Sequence, residues 1–347
     1  MQRFSCPTCG SEVHFDNTIC IACGSQLGFV PDGVRMLAAL NSVEPWHNGD
    51  HQQLSCVNRQ IIGCNWLVAD SASSACLSCR HTVIIPDLSF TDNVVRWTKL
   101  ELAKRTLFYS LLKFRLPLSA REISADLQLR FELKADVLTW DGHGTRVLTG
   151  HENGRITINI AEADDDVREK HRIAMGEPYR TLIGHFRHEV GHYYWSRLLG
   201  LAGDADEFRF IFGDERDGYD GALGRHYSIG APSDWPLKYV SAYASSHPWE
   251  DFAETWAHYF HMVDGLETAQ GYGINGDRAR KETPTTDPYR EADFSQLIDK
   301  WIPLTIAMNA MNRSIGNPDF YPFVLSETIL RKLEFIHGLV HGRPEAA

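Results

Sequence analysis

The chain has 347 residues, 43% hydrophobic and 23% charged, the balance of an ordinary globular protein with room for two or three domains. No 18 apolar residues run together, and MQRFSCPTCG lacks the basic start and apolar stretch of an export signal, so the expected location is cytoplasmic, with no membrane span. Against 34 basic residues stand 45 acidic ones, a net charge of −11, which argues against affinity for nucleic acid or an anionic membrane.

All eight cysteines precede residue 80. Cys6, Cys9, Cys20 and Cys23 lie in CPTCG and CIACG, with ten residues between the pairs. A tight Cys-x-x-Cys turn followed by Gly lets two thiolates converge on one ion, so two such turns predict a tetrahedral structural zinc site. Cys76 and Cys79 form another such turn, whereas seven residues separate Cys56 from Cys64. An even split of eight thiolates favours a second zinc. Two alternatives stand beside it: Cys56 and Cys64 as buried small apolar residues, or pairs shared between the two sites. Four thiolates leave no open coordination position, so neither site is expected to be catalytic.

Residues 1–88 hold four Arg, no Lys and seven acidic residues, and each tetrathiolate zinc adds about −2 to that balance. A nucleic-acid reader would carry a basic stripe instead, so this segment is expected to be a zinc-ribbon module that stabilises or docks a protein partner. Residues 89–120 predict a helical connector, with Val94, Trp97, Leu100, Leu107 and Leu111 at helical spacing and Pro117 as its stop. From about residue 127 the pattern changes to short strands. Leu127, Leu129, Phe131 and Leu133 alternate as in a half-buried strand, and Ile156, Ile158 and Ile160 follow the turn pair Asn153-Gly154 of a hairpin.

GEPYRTLIGHFRHEVGHYYWSRLLG then reads as an amphipathic helix ending near Gly200. It carries His188-Glu189-Val190-Gly191-His192. Histidines four apart share one helix face and can place two imidazole nitrogens on one zinc, with Glu189 beside them to take a proton from water. The long metzincin form would require Gly and His where Trp195 and Leu198 stand, so a carboxylate from a later helix is the expected third ligand. SSHPWEDFAETWAHYFH offers Glu250, Glu254, His258 and His261 roughly on one face, after Pro248 in the first turn.

The run Glu250-Asp251-Phe252-Ala253-Glu254 resembles the E-x-x-x-D/E helix of gluzincins, the thermolysin-like zinc peptidases. The resemblance implies Glu250 as the zinc ligand and Glu254 as the residue that orients a ligating histidine; Glu254 as ligand is the competitor. Together with the Cys-x-x-Cys pairs, CNWLVADSASSACLSCRHTVIIPDL and VLTGHENGRITINIAEADD, the chain is similar to the bacterial family called putative zinc-binding metallopeptidases. That similarity implies an α+β fold, with a zinc ribbon at 1–88 and a gluzincin-like peptidase domain at 121–347. It also implies one catalytic and two structural zinc ions, and a peptide or protein substrate. Tyr243, Tyr227 and His247 are the candidate donors to a developing oxyanion. In gluzincin-like folds the strand before the HExxH helix is a sheet edge that pairs with substrate, which implies main-chain recognition at Asn159, Ile160, Ala161 and Glu162. Two other functions fit the same residues: a zinc scaffold without turnover, and a zinc amidohydrolase acting on something other than peptides.

Overall fold

The computed structural model describes residues 1–39, 46–48, 51–69, 73–118, 127–138, 144–175, 177–178, 180–200, 205–274 and 286–342. The boundary expected at 120/121 lies outside the described residues. By contact density the chain divides into two compact units, Met1–Ser119 with Gln128–Arg168, and Ala120–Leu127 with Glu169–Ala347.

The first unit begins with short antiparallel pairs: β1 (Phe4–Ser5) with β2 (Glu12–Val13), then β3 (Gln26–Val30) with β4 (Arg35–Ala39). β5 (Trp46–Asn48), β6 (His51–Ser55), the single turn α1 (Arg59–Ile62) and β7 (Leu67–Val68) follow. Phe15, Phe29 and Trp66 meet with ring centroids 4.9–6.2 Å apart, and Tyr109 reaches Phe15 at 5.5 Å. Tyr109 belongs to α2 (Thr91–Phe114), one unbroken helix where the sequence predicts one or two. It ends at Arg115 in the left-handed region (φ 59°), two residues before Pro117.

β8 (Thr82–Ile84) directly follows the last cysteine and pairs in parallel with β9 (Arg130–Lys134). Next come the short pair β10 (Val137–Leu138) and β11 (Gly144–Thr145), then β12 (Gly150–Glu152) and β13 (Arg155–Asn159). The sheet order is β12-β13-β9-β8. A strand from the cysteine-bearing segment therefore completes a sheet built from residues 130–159, and the compact unit crosses residue 88. The β12–β13 hairpin turns at Asn153 (φ 49°) and Gly154 (φ 82°), two positive angles as a type I′ turn requires. A Cβ on Gly154 would stand 2.6 Å from the Gln128 carbonyl oxygen, so only glycine fits.

β13 is an interior strand, with β12 on one side and β9 on the other. The strand expected as a sheet edge thus has a neighbour on each side over Arg155–Thr157, while Asn159, Ile160, Ala161 and Glu162, where main-chain recognition is expected, lie beyond that double pairing. Ile160–Ala163 coil into a 3-10 turn capped by the Asn159 side chain, which also donates to Asp136, while Glu162 accepts from the Thr149 hydroxyl at 2.6 Å. These groups are spent on local structure.

The division between units falls within α3 (Asp165–Ala174). The second unit is helical: α4 (Leu182–Trp195), α5 (Asp206–Phe212), α6 (Tyr219–Ile229), α7 (Pro248–Gly271), α8 (Phe294–Ser314) and α9 (Glu327–His341). α4 runs on through a π-helical turn, Ser196–Gly200, to its expected stop. Tyr194 of α4 stacks on Trp256 of α7 at 5.0 Å, and Phe212 packs against Phe252 and Phe335. Gly191 permits a close approach of α4 and α7: a Cβ there would lie 3.0 Å from the Ala253 Cα. The buried pair Lys332–Asp251, 2.6 Å, ties α9 to the first turn of α7. His258 and His261 pack inside the helical unit: His258 Nδ1 lies 2.9 Å from the Tyr321 hydroxyl, and the His261 ring stacks on that of Tyr321. No helix among the described residues is long and apolar enough to cross a membrane.

Candidate metal centres

The eight cysteines form two groups of four and do not interleave: Cys6, Cys9, Cys20, Cys23 and Cys56, Cys64, Cys76, Cys79. The two turns of the first group are copies. Gly10 and Gly24 share φ 75°; Gly10 N donates to Cys6 O and Gly24 N to Cys20 O, each at 2.8 Å. Cys6–Cys23 and Cys9–Cys20 sulfurs are 3.7 Å apart, Cys64 lies 3.7 Å from Cys76 and 3.8 Å from Cys79, and all four sulfurs of each group lie within 4.8 Å of one another. A disulfide needs about 2.05 Å, whereas a tetrahedron with Zn–S bonds of about 2.3 Å has edges of about 3.8 Å. The donor set and spacing fit zinc.

The groups differ in their surroundings. Cys9 is exposed and Cys23 partly so, while all four sulfur-bearing residues of the second group are buried. Beneath that second group α2 carries Glu101 and Lys104, both fully buried, paired at 2.9 Å. Glu101 Oε2 stands 3.8 Å from Cys79 Sγ. The Lys104 cation offsets part of the negative charge that four thiolates and one divalent ion would leave there.

The third centre lies in the second unit. Thr181 caps α4, its side chain accepting from Gly184 N at 3.0 Å, and the helix then presents His188, Glu189 and His192. α7 starts with Pro248 after His247, and its first turn brings Glu250 to the histidines. Glu250 Oε2 is 3.0 Å from His188 Nε2 and 3.5 Å from His192 Nε2, and the two Nε2 atoms are 3.2 Å apart. Tetrahedral zinc bonds of about 2.0–2.1 Å place donors about 3.3 Å apart. Among the described residues the buried Glu250 Oε2 makes no hydrogen bond, as expected of an atom reserved for a cation. Burial resists the charge on Glu250, yet His192 and His188 hold its carboxyl well below the usual range.

Glu254 is on the other side of the His188 ring. Its Oε1 meets Nδ1 at 2.6 Å, and its Oε2 accepts from the Ser241 hydroxyl at 2.6 Å. Against its burial, the His188 contact lowers this carboxyl to about 2. Such an anion fixes the tautomer that leaves Nε2 free for a metal. Glu189 is also buried; His185 Nε2 holds its Oε1 at 3.2 Å, and Oε2 has no hydrogen-bond partner among the described residues. Burial alone would raise Glu189, but His185 and His188 keep it below its ordinary value.

Of the three expected oxyanion donors, Tyr243 has its ring 5.9 Å from that of His188, and Tyr227 is 65% exposed. His247 is corrected to a helix cap: Nδ1 accepts from Trp249 N at 3.1 Å and Nε2 donates to Asp217 O at 3.0 Å, so both ring nitrogens are occupied. Sequence reading passed over His185, Ser241 and Tyr219. His185 was within reach, one helical turn before Glu189. Ser241 and Tyr219, whose hydroxyl donates to Glu250 Oε1, come from other segments and carry no periodic signal.

Residues 93–339 match the family model described as putative zinc-binding metallo-peptidase, and residues 3–90 match that of a zinc-ribbon domain. Uncharacterised proteins of Mycobacterium bovis and of two Mycobacterium tuberculosis strains are each 41% identical over 342 residues, 98% of this chain and 95% of theirs. No solved structure matches the chain. With two four-cysteine groups, a His/His/Glu group and a family model covering most of its length, the chain belongs to the family of putative zinc-binding metallopeptidases and carries an N-terminal zinc ribbon.

Proposed function

We propose that the chain is a zinc-dependent peptidase whose active centre is formed by His188, His192 and Glu250, with Glu189 as general base. The observation that carries this reading is the buried Glu189 Oε2, without a hydrogen bond among the described residues, beside three converging donor atoms. A structural metal site has no use for such a carboxylate. Zinc held there supplies Lewis acidity, polarising a peptide carbonyl and acidifying water. Glu189 Oε2 accepts the proton of the attacking water and delivers it to the leaving amine, while His185 keeps Oε1 fixed. Glu254 and Ser241 hold the His188 ring in place from its far side. Tyr243 is pushed far above its ordinary pKa by burial and by the Glu250 charge, so it keeps its proton and can donate to the oxyanion. The spacing of Glu250 and Glu254 supports a gluzincin-like arrangement.

In this reading the ribbon, residues 1–88, holds two structural zinc ions and offers a surface to a protein partner, and residues 121–347 carry the hydrolytic centre. Eight free thiols fit a reducing, cytoplasmic compartment. The test is metal analysis beside proteome-wide cleavage mapping of wild type and Glu189→Gln. About three zinc ions per chain, with cuts lost in the variant while zinc is retained, support the reading. About two zinc ions and no cuts identify a scaffold; undiminished cutting by Glu189→Gln removes the mechanism.

A further inference from the structure

The Tyr219 hydroxyl donates to Glu250 Oε1 at 2.6 Å, a short hydrogen bond of the charge-assisted kind. The other oxygen of the same carboxylate, Oε2, is the one that faces His188 Nε2 and His192 Nε2. A carboxylate with two free oxygens can bind a cation through one or both; here one is already engaged. We propose that Tyr219 is a positioning residue of the metal centre, holding Glu250 so that Oε2 alone is presented to the ion.

Two ring contacts and one neighbouring backbone hydrogen bond fix the phenol. Tyr219 opens α6, and two residues earlier the Asp217 carbonyl accepts from His247 Nε2 at 3.0 Å. His247 is itself the cap of the helix that carries Glu250, so this bond pins the start of α6 to the start of α7. The Tyr219 ring meets the edges of His247 and Trp249 at 5.1 and 5.7 Å, and Trp249 in turn lies 4.1 Å from the His192 ring. The tyrosine is wedged among the residues flanking Glu250, so its hydroxyl has a defined direction. Neither a motif nor a helical period links residue 219 to residue 250; the contact exists only in the folded chain.

The inference rests on the metal centre described above and not on peptide hydrolysis. Its test is titration of zinc into the full chain against a competing indicator, for wild type and Tyr219→Phe. His188→Ala defines the share taken by the two cysteine groups. Loss of one outer hydrogen-bond partner is expected to weaken the third zinc by about 10–100-fold while the cysteine-bound ions are retained. Cobalt at the same centre should show a changed visible spectrum in Tyr219→Phe, because the released Oε1 becomes available to the ion. Unchanged affinity and spectrum would overturn the proposal. So would a loss of zinc matched by an equal loss of thermal stability in the metal-free chain, which marks the phenol as merely structural. A third zinc weakened in Tyr219→Phe, together with no peptide cut by the zinc-loaded wild type, supports the role of Tyr219 and refutes the peptidase reading.

Discussion

Gly191→Ala probes how closely α4 and α7 must approach for three ligands to meet. The new Cβ would stand 3.0 Å from the Ala253 Cα and 3.3 Å from the Trp256 Cβ, where carbon atoms prefer about 3.5–4.0 Å. One of these neighbours is backbone and the other a fully buried Trp, so the helices have to part by about 0.5–1 Å. Overpacking of this kind costs about 1–3 kcal/mol, and removing a glycine from a helix interior returns about 0.5–1 kcal/mol. The expected net loss is about 0–2.5 kcal/mol in urea unfolding of chelator-treated protein. The effect on the metal is larger. Glu250 lies one turn before Ala253, so a shift of that size displaces Oε2 by more than the roughly 0.2 Å that a coordination distance tolerates. Zinc titration should show the third ion bound at least about tenfold more weakly. A variant that is more stable than wild type by the full helix-propensity gain, with unchanged zinc affinity, would refute the reasoning.

Glu189→Gln is expected to abolish cleavage while leaving zinc content intact, read by turnover and metal analysis on the same preparation. His258 is held neutral by burial, its pKa lowered to about 4. The unfolded chain therefore takes up the proton first as pH falls below about 6.5, and the associated stability, full above that pH, is lost on the way down to about 4. His258→Gln should flatten urea-unfolding stability over that window by up to about 1.4 kcal/mol per pH unit relative to wild type; parallel pH curves would show that the site does not titrate. Chelator or peroxide should strip the first cysteine group before the second, since Cys9 is exposed and Cys56, Cys64, Cys76 and Cys79 are all buried. Timed alkylation with mass spectrometry should label Cys9 and Cys23 first, and simultaneous labelling of both groups would contradict this.

The local chemistry was legible in the chain because each part of it is short-range. Cys-x-x-Cys-Gly fixes a knuckle within five residues, and HExxH sets two imidazoles on one face through the helical repeat alone. The hairpin at Asn153-Gly154 was equally local, since its two positive φ angles are a property of those residue types. The candidate ligand Glu250 could be narrowed to a helix and a spacing, but its hydrogen-bond partner Tyr219 could not.

Tertiary structure decided the rest. It sorted eight cysteines into two unmixed groups, because sulfur convergence depends on where the chain returns after Cys23 and Cys64. It put β8 beside β9, so that a cysteine-bearing segment and residues 130–159 share one sheet, a parallel pairing that no local pattern encodes. That same sheet gave β13, expected as a sheet edge, a neighbour on each side over Arg155–Thr157. It also turned His247 into a cap and gave Tyr219 to Glu250, choices made by packing between helices 30 residues apart in sequence. The opening residue counts identified a metal-rich, acidic protein; the sequence by itself determined which residue types could bind metal. Only the fold determined which atoms meet, because convergence of donors within about 3–4 Å is a long-range property of packed elements.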